Sequence, residues 1–233
     1  MTNKPGLIAP LMSKTQQKSL ILFSKAASSP GQSLELEARF GYFSKSFIPT
    51  LDSKTLFDVL KRKVSYMSKS STEEITNVSI YPEKVRKIQH VLPRKDPIWQ
   101  KKQSVKDLLG DSKWNSIDNR VHNYRIALAS ERTIKKPVIV GKLIMTRSKH
   151  REKFNVIKNG IKFSYDLTKV ENSNNGNVNY EFEIEYVKSE GDSPKDVAKA
   201  YVIAIQEILI EIQDYLKENY RKLMTSTRFA APN

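Results

Sequence analysis

Hydrophobic and polar residues alternate most sharply over Leu34–Gly41. Leu34, Leu36, Ala38 and Phe40 share one parity, and Glu35, Glu37 and Arg39 share the other. A period of two is that of a β-strand, whose successive side chains point to opposite faces. The polar face is not an ordinary solvated one, because glutamate is a poor strand former. The pattern returns at Tyr180–Tyr186, where Glu181, Glu183 and Glu185 alternate with Phe182 and Ile184.

The rest of the chain is organised around these two acidic strands. Ser13–Ser28 predicts a helix with Leu20, Ile21 and Phe23 buried. A second helix, capped by Asp52 or Ser53, runs to Met67 with Leu56, Val59, Leu60 and Val64 on one face. Phe47–Asp52 reads as a connector. Thr72–Tyr81 and Lys84–Leu92 flank a tight turn and predict a hairpin, followed by a strand candidate at Ile98–Lys106. Gly110–Asn119 is polar and loop-like, with Trp114 as an anchor. Val121–Glu131 predicts a strand with Arg125, Ala127, Ala129 and Glu131 on one face. Leu143–Ile157 carries Arg147, Lys149, Arg151 and Lys153 at alternate positions. Lys158-Asn159-Gly160 is a hairpin turn of the favoured Asn-Gly type, and Ile161–Val170 returns with Lys162, Ser164, Asp166 and Thr168 on one side. Ser193-Pro194 starts a helix that reaches Tyr220, with an apolar stripe through Val197, Tyr201, Ile205, Ile208, Ile212 and Tyr215. Residues 1–224 are expected to form a single domain, and residues 225–233 a tail or the start of a linker.

Charge sharpens this picture. The 233 residues include 40 Lys and Arg against 25 Asp and Glu, a formal charge of +15, which favours polyanionic partners. No apolar run approaches the roughly 20 residues of a membrane span. Leu7–Met12 is too short, and too broken by Pro10, to form a signal-peptide core. There are no cysteines, which excludes a disulfide scaffold, Cys-ligated zinc and cysteine nucleophiles. The expectation is an intracellular protein, in the cytoplasm or nucleus, with no membrane partner.

About eight strand candidates with two or three helices predict an α+β chain built on a mostly antiparallel sheet. Several strands have one apolar and one densely charged face. Closing the sheet into a barrel would let the charged faces line a hydrophilic lumen, with the apolar faces buried under helices. Two carboxylates about 5 Å apart repel by roughly 3 kcal/mol at an effective dielectric of about 20. Several such groups facing one another would take up protons or a cation. An oxygen-only donor set suits Mg²⁺ or Mn²⁺ and not zinc. The facing Arg147, Lys149 and Arg151 would clamp a chain of phosphates, so that metal and clamp together make a phosphoryl-transfer site. The plain alternative is a sheet with salt-bridged, solvated faces.

These residues resemble the triphosphate tunnel metalloenzymes, specifically the metal-dependent RNA 5′-triphosphatases of mRNA capping. The motifs are the Glu-x-Glu of Glu35/Glu37, the Glu-x-Glu-x-Glu of Glu181/Glu183/Glu185, and the Arg-x-Lys-x-Arg of Arg147/Lys149/Arg151 with Asp166-Leu167-Thr168 after it. Val85-Arg86-Lys87 and Arg125 through Glu131 resemble two further strands of the family, and the ordered match spans Leu34 to Val187. It is most like the N-terminal triphosphatase domain of giant DNA virus (mimivirus-type) capping enzymes. The resemblance implies an eight-stranded tunnel in which Glu35, Glu37 and Glu185 ligate Mg²⁺ or Mn²⁺. Glu183 and Glu131 would position or deprotonate the attacking water. Arg86, Arg125, Arg147, Lys149 and Arg151 would hold the phosphates, with Asp166 and Thr168 orienting them, and Lys102, Arg39 and Glu181 would be further members of the site. Lys101 and Lys106 compete with Lys102 for its place.

The implied activity is removal of the γ-phosphate from triphosphate-ended RNA, the first step of cap formation, with free NTPs also hydrolysed. Two alternatives stand beside it: a hydrolase of tripolyphosphate or another small triphosphate, and a non-catalytic basic RNA- or polyphosphate-binding module. The chain has no Lys-x-Asp-Gly nucleophile motif and no Walker loop. A guanylyltransferase would therefore be a separate partner, or a C-terminal domain of a longer chain.

Overall fold

The computed structural model describes residues 12–29, 34–43, 45–109, 114–115, 121–137 and 141–228. Its strands are β1 (Leu34–Phe43), β2 (Phe47–Ile48), β3 (Ser70–Ile80), β4 (Val85–Leu92), β5 (Ile98–Leu109), β6 (Trp114–Asn115), β7 (Val121–Ile134), β8 (Met145–Lys158), β9 (Ile161–Asn172) and β10 (Val178–Tyr186). The helices are α1 (Lys14–Ser28), α2 (Lys54–Met67) and α3 (Pro194–Arg228).

Every named strand pair is antiparallel. The strand order β1-β10-β9-β8-β3-β4-β5-β7 closes on itself because β7 also pairs with β1 along its length, from Leu34↔Ser130 to Phe43↔Val121. The result is the closed eight-stranded barrel that the alternation requires, with the two-residue strands β2 and β6 attached at its edges. The Phe47–Asp52 stretch is thus more than a connector, since Phe47 and Ile48 pair with Phe43 and Tyr42. That approach is close: a Cβ added at Gly41 would lie 2.0 Å from the Ile48 carbonyl oxygen, so only glycine fits there.

The barrel is inverted relative to a small apolar-cored one. Leu36, Ala38 and Phe40 of β1, Phe182 and Ile184 of β10, and Phe163, Tyr165 and Leu167 of β9 face outward. They are buried there beneath the three helices, in one continuous hydrophobic cluster. α1 contributes Leu20, Phe23 and Ala27, and its start is closed by a capping box between Ser13 and Gln16. Ile21 was expected inside but is 36% exposed, because it lies about 100° around the helix from Leu20. α2 contributes Leu56, Leu60 and Val64 and is capped by Ser53, whose Oγ accepts from Leu56 N at 3.1 Å. α3 lays Val197, Tyr201, Ile205, Ile208 and Ile212 on the sheet. Its Tyr201 hydroxyl donates to the carbonyls of Ile184 (2.7 Å) and Leu36 (3.3 Å), pinning the helix over the β1–β10 seam. α3 runs through Arg228 rather than stopping at Tyr220, since no glycine or proline interrupts residues 221–228. The expected tail therefore begins inside a helix, and residues 229–233 lie outside the described residues. Most of the predicted loop at 110–119 does too, and nothing is described of the Trp114 side chain.

The Asn159-Gly160 turn forms as expected, with φ of 48° and 82°. The β3–β4 connection is a 3-10 turn at Pro82–Lys84. Among the described residues no helix is long and apolar enough to cross a membrane.

Candidate active site

Barrel register decides which charges meet. On the β1–β10 pair, Glu37 stands across from Glu185 and Arg39 from Glu183. On β10–β9, Glu183 is opposite Asp166 and Glu181 opposite Thr168. On β9–β8, Thr168 faces Arg151 and Asp166 faces Lys153. Across β5–β7, Lys102 is opposite Glu131. All of these residues share the lumen-facing parity, so strands distant in sequence turn their charges toward one space, which Asp166 and Thr168 back rather than line.

That space consists of two chambers. The first, of about 250 Å³, is lined by Glu35, Glu37, Glu183 and Glu185 on one side and by Arg86, Lys102, Lys149, Arg151 and Lys153 on the others. The second, of about 440 Å³, holds Arg125, Arg147, Lys84, Asp107 and Glu181. Glu37, Arg39, Arg86, Lys102 and Lys149 border both, at the waist between them.

The waist is an ion-pair network. Arg39 reaches Glu183 at 3.0 Å and Glu37 at 3.3 Å. Lys102 Nζ lies 3.2 Å from Glu37, 3.2 Å from Glu131 and 3.5 Å from Glu35. Arg86 donates to Glu131 and, at 3.2 Å, to Gln100. Lys149 lies 3.7 Å from Glu181. The ambiguity over the β5 lysine is thereby resolved: Lys102 points into the lumen, Lys101 pairs outside with Glu83 at 2.9 Å, and Lys106 is exposed.

Asp166 and Thr168 line neither chamber. Both are buried behind Arg151, with Asp166 3.5 Å from its guanidinium and the Thr168 hydroxyl accepting from its Nε at 3.3 Å. They brace the arginine that faces the cavity. Glu74, Thr76, His90 and Gln100 also line the first chamber, although the sequence reading gave β3 and β4 no inward face beyond Arg86. His90 Nδ1 sits 3.1 Å from Glu74. The available signal was the parity of Glu74, Thr76 and Val78 on β3 with that of Arg86, Ile88 and His90 on β4.

The electrostatics divide the carboxylates. Burial would raise the Glu183 carboxyl, but Arg39, Arg151, Lys149 and Lys102 together outweigh it and hold the group down at about 2. Glu131 is likewise lowered, with Lys102 and Arg86 overcoming its burial. Glu35 and Glu185 behave oppositely. Burial, reinforced by neighbouring carboxylates and only partly offset by lysines, raises both to about 7.

This pattern bears on a metal. Glu35, Glu37 and Glu185 offer only oxygen donors, line the same chamber, and include two carboxyls that resist ionising without a cation, which fits a hard divalent ion in donor chemistry. Among the described residues no three acidic or histidine side chains converge at ligation distance, and the Lys102 ammonium is the cation now between Glu35 and Glu37. The basic groups fit an anion. Arg39, Arg86, Arg125 and Arg147 each keep a buried Nε with no hydrogen-bond partner, an arrangement that stays costly until an acceptor arrives.

No protein-family model and no curated protein matches the sequence. Solved structures do match in shape. The Schizosaccharomyces pombe (S. pombe) Pct1 RNA triphosphatase superimposes with a TM-score of 0.60 at 15% identity, over 96% of this chain and 98% of that one. The same enzyme in complex with the Spt5 CTD gives 0.57 at 16% identity, again over 96% and 98%. A triphosphatase-active protein from Hippeastrum, HpAC1, scores 0.41 at 12% identity, over 75% of this chain and 87% of that one. At these identities the likeness is one of fold: this chain has the closed tunnel architecture also found in Pct1.

Proposed function

We propose that this chain is a metal-dependent RNA 5′-triphosphatase, which removes the γ-phosphate of triphosphate-ended RNA to leave a diphosphate end plus phosphate. The observation that carries the reading is the lumen, where Glu35, Glu37 and Glu185 crowd one chamber with oxygen donors only, and Arg39, Arg86, Arg125 and Arg147, bordering the two chambers, each keep a buried Nε without an acceptor. A triphosphate and a divalent ion together satisfy both sets. The motif resemblance over Leu34–Val187 and the shared architecture with Pct1, itself an RNA triphosphatase, support the same substrate class.

In this mechanism Arg147, Arg125 and Arg86 bind phosphate oxygens, and Lys149 and Arg151 draw the terminal phosphoryl group into the first chamber. Asp166 and Thr168 hold Arg151 in place for that contact. Glu35, Glu37 and Glu185 would hold Mg²⁺ or Mn²⁺, which when bound supplies charge neutralisation on the phosphate oxygens. Glu183, kept ionised by Arg39 and Arg151, accepts a hydrogen bond from the attacking water and orients it. Its low proton affinity suits positioning better than proton removal. Glu131 is held in the same state by Lys102 and Arg86 and would act alongside it. Released phosphate leaves an end ready for guanylylation, which places the reaction first in mRNA cap formation, with a guanylyltransferase as the next enzyme, and the chain's overall likeness to giant DNA virus capping enzymes supports a viral capping system.

The test is product analysis on RNA labelled at the γ-phosphate, beside ATP, with and without Mg²⁺ or Mn²⁺. The reading expects orthophosphate and a diphosphate end. Hydrolysis of tripolyphosphate or ATP with RNA untouched would make this a small-triphosphate hydrolase instead.

A further inference from the structure

The three helices pack mainly on the β1 and β8–β10 side and over Tyr124, Ile126 and Leu128 of β7, whereas the outer wall formed by β4, the start of β5 and the end of β7 presents a different surface. On that wall Trp99 is flanked in register by Lys87 of β4 and Ile134 of β7, and the next outward-facing row is Val85, Lys101 and Arg132. Successive rows on one face are about 7 Å apart along the strands. Trp99 also contacts Tyr81, their ring centroids 5.5 Å apart. Between Lys87, Trp99, Ile134 and Lys136 lies an open cleft of about 490 Å³. Arg132 and Lys136 are exposed, and among the described residues no ion pair engages Lys87, Arg132 or Lys136. This contrasts with the lumen, where the lysines and arginines of the waist are matched by carboxylates. Ile98 lines both this cleft and the first chamber, so the cleft opens at the rim of the tunnel.

We propose that this wall is a binding site for single-stranded RNA, taking the nucleotides that follow the 5′ end while that end lies in the tunnel. An aromatic pair beside unpaired cations is what unpaired nucleic acid needs: a face for a base to stack on and positive charge for its backbone. An acidic peptide would use the cations and leave Trp99 without a role. The proposal rests on the triphosphatase reading only for what enters the tunnel, since the wall itself would bind RNA with any 5′ end.

The experiment measures binding of a labelled, single-stranded 5′-hydroxyl RNA by anisotropy, beside steady-state kinetics on triphosphate-ended RNA and on ATP. The proteins are wild type, Trp99→Ala, Trp99→Phe and the double variant Lys87→Ala/Arg132→Ala. Trp99→Ala and the double variant should each weaken 5′-hydroxyl RNA binding about tenfold and raise KM for triphosphate RNA to match, with ATP kinetics unchanged, while Trp99→Phe retains most of the affinity. Wild-type affinity in both the alanine and the double variant would overturn the proposal, as would competition by polyglutamate as effective as by RNA. If Trp99→Ala fails to fold, the double variant decides, because Lys87 and Arg132 lie on the wall and not in the core. If wild type releases no phosphate from any triphosphate while 5′-hydroxyl RNA binding still depends on this wall, the catalytic reading falls and the wall stands. If phosphate is released and the wall variants bind RNA normally, only the wall proposal falls.

Discussion

Glu37 of β1 stands directly opposite Glu185 of β10 in the antiparallel register. Two glutamates in that relation, with Glu35 in the same chamber, repel one another when ionised, and in the proposed site a divalent cation would relieve that repulsion. Glu185→Gln should therefore do two opposite things. In metal-free protein above neutral pH it should raise Tm, because a repelling charge is gone. In the presence of metal it should lower phosphate release by about a hundredfold or more, as expected for the loss of a group that stabilises transition-state charge. Thermal scans in EDTA beside turnover assays check both halves, and unchanged turnover would remove Glu185 from the site.

The pH dependence of stability carries the same signature. Glu35 and Glu185 are raised from 4.5 to about 7, chiefly by burial. Between those values the folded protein holds protons that the unfolded chain has released, so stability falls as pH rises across that window and levels off above it. Glu183 has the opposite sign: held at about 2, it contributes stability that is present above about pH 4.5 and lost as pH falls toward 2. Metal-free protein should accordingly have its highest Tm on the acid side of neutrality, and Mg²⁺ or Mn²⁺ should flatten the fall toward pH 7. A metal-free Tm that climbs steadily from pH 5 to pH 7 would contradict these assignments.

The waist separates binding from chemistry. Arg147 keeps a buried Nε without a partner in the second chamber, whereas Glu37 is already engaged by Arg39 and Lys102. Glu37→Gln should still bind a triphosphate within about tenfold of wild type, roughly 1.4 kcal/mol, while turnover collapses. Arg147→Ala should lose both, and Lys153→Ala should matter least of the β8 series. Calorimetric affinity measured beside the rate tests this, and a parallel fall of binding and rate in Glu37→Gln would contradict it.

Much of this arrangement was legible in the chain because β1, β8 and β10 alternate without interruption. A strict period of two assigns each side chain a face, and glutamates on the polar face mark the lumen. β5 was less legible. Its pairing with β7 shifts between Ser104 and Lys106, so Lys102 and Asp107 both reach the lumen despite opposite parity. Glu74 and His90 escaped notice because β3 and β4 are polar on both faces, which leaves periodicity no contrast to report. Closure of β7 onto β1, which brings Glu131 toward Glu35, depends on pairing across some ninety residues of chain that no local pattern encodes. The extent of α3 was missed for a simpler reason. Helix-forming residues continue past Tyr220, and only the apolar stripe stops.

The account is tested most directly by the rate of γ-phosphate release from triphosphate-ended RNA, measured in excess EDTA and again after adding Mg²⁺ or Mn²⁺. It predicts no release in chelator, full release on adding either ion, and almost none with Glu37→Gln under the same conditions. Undiminished release in EDTA, or a Glu37→Gln variant as fast as wild type, would contradict it.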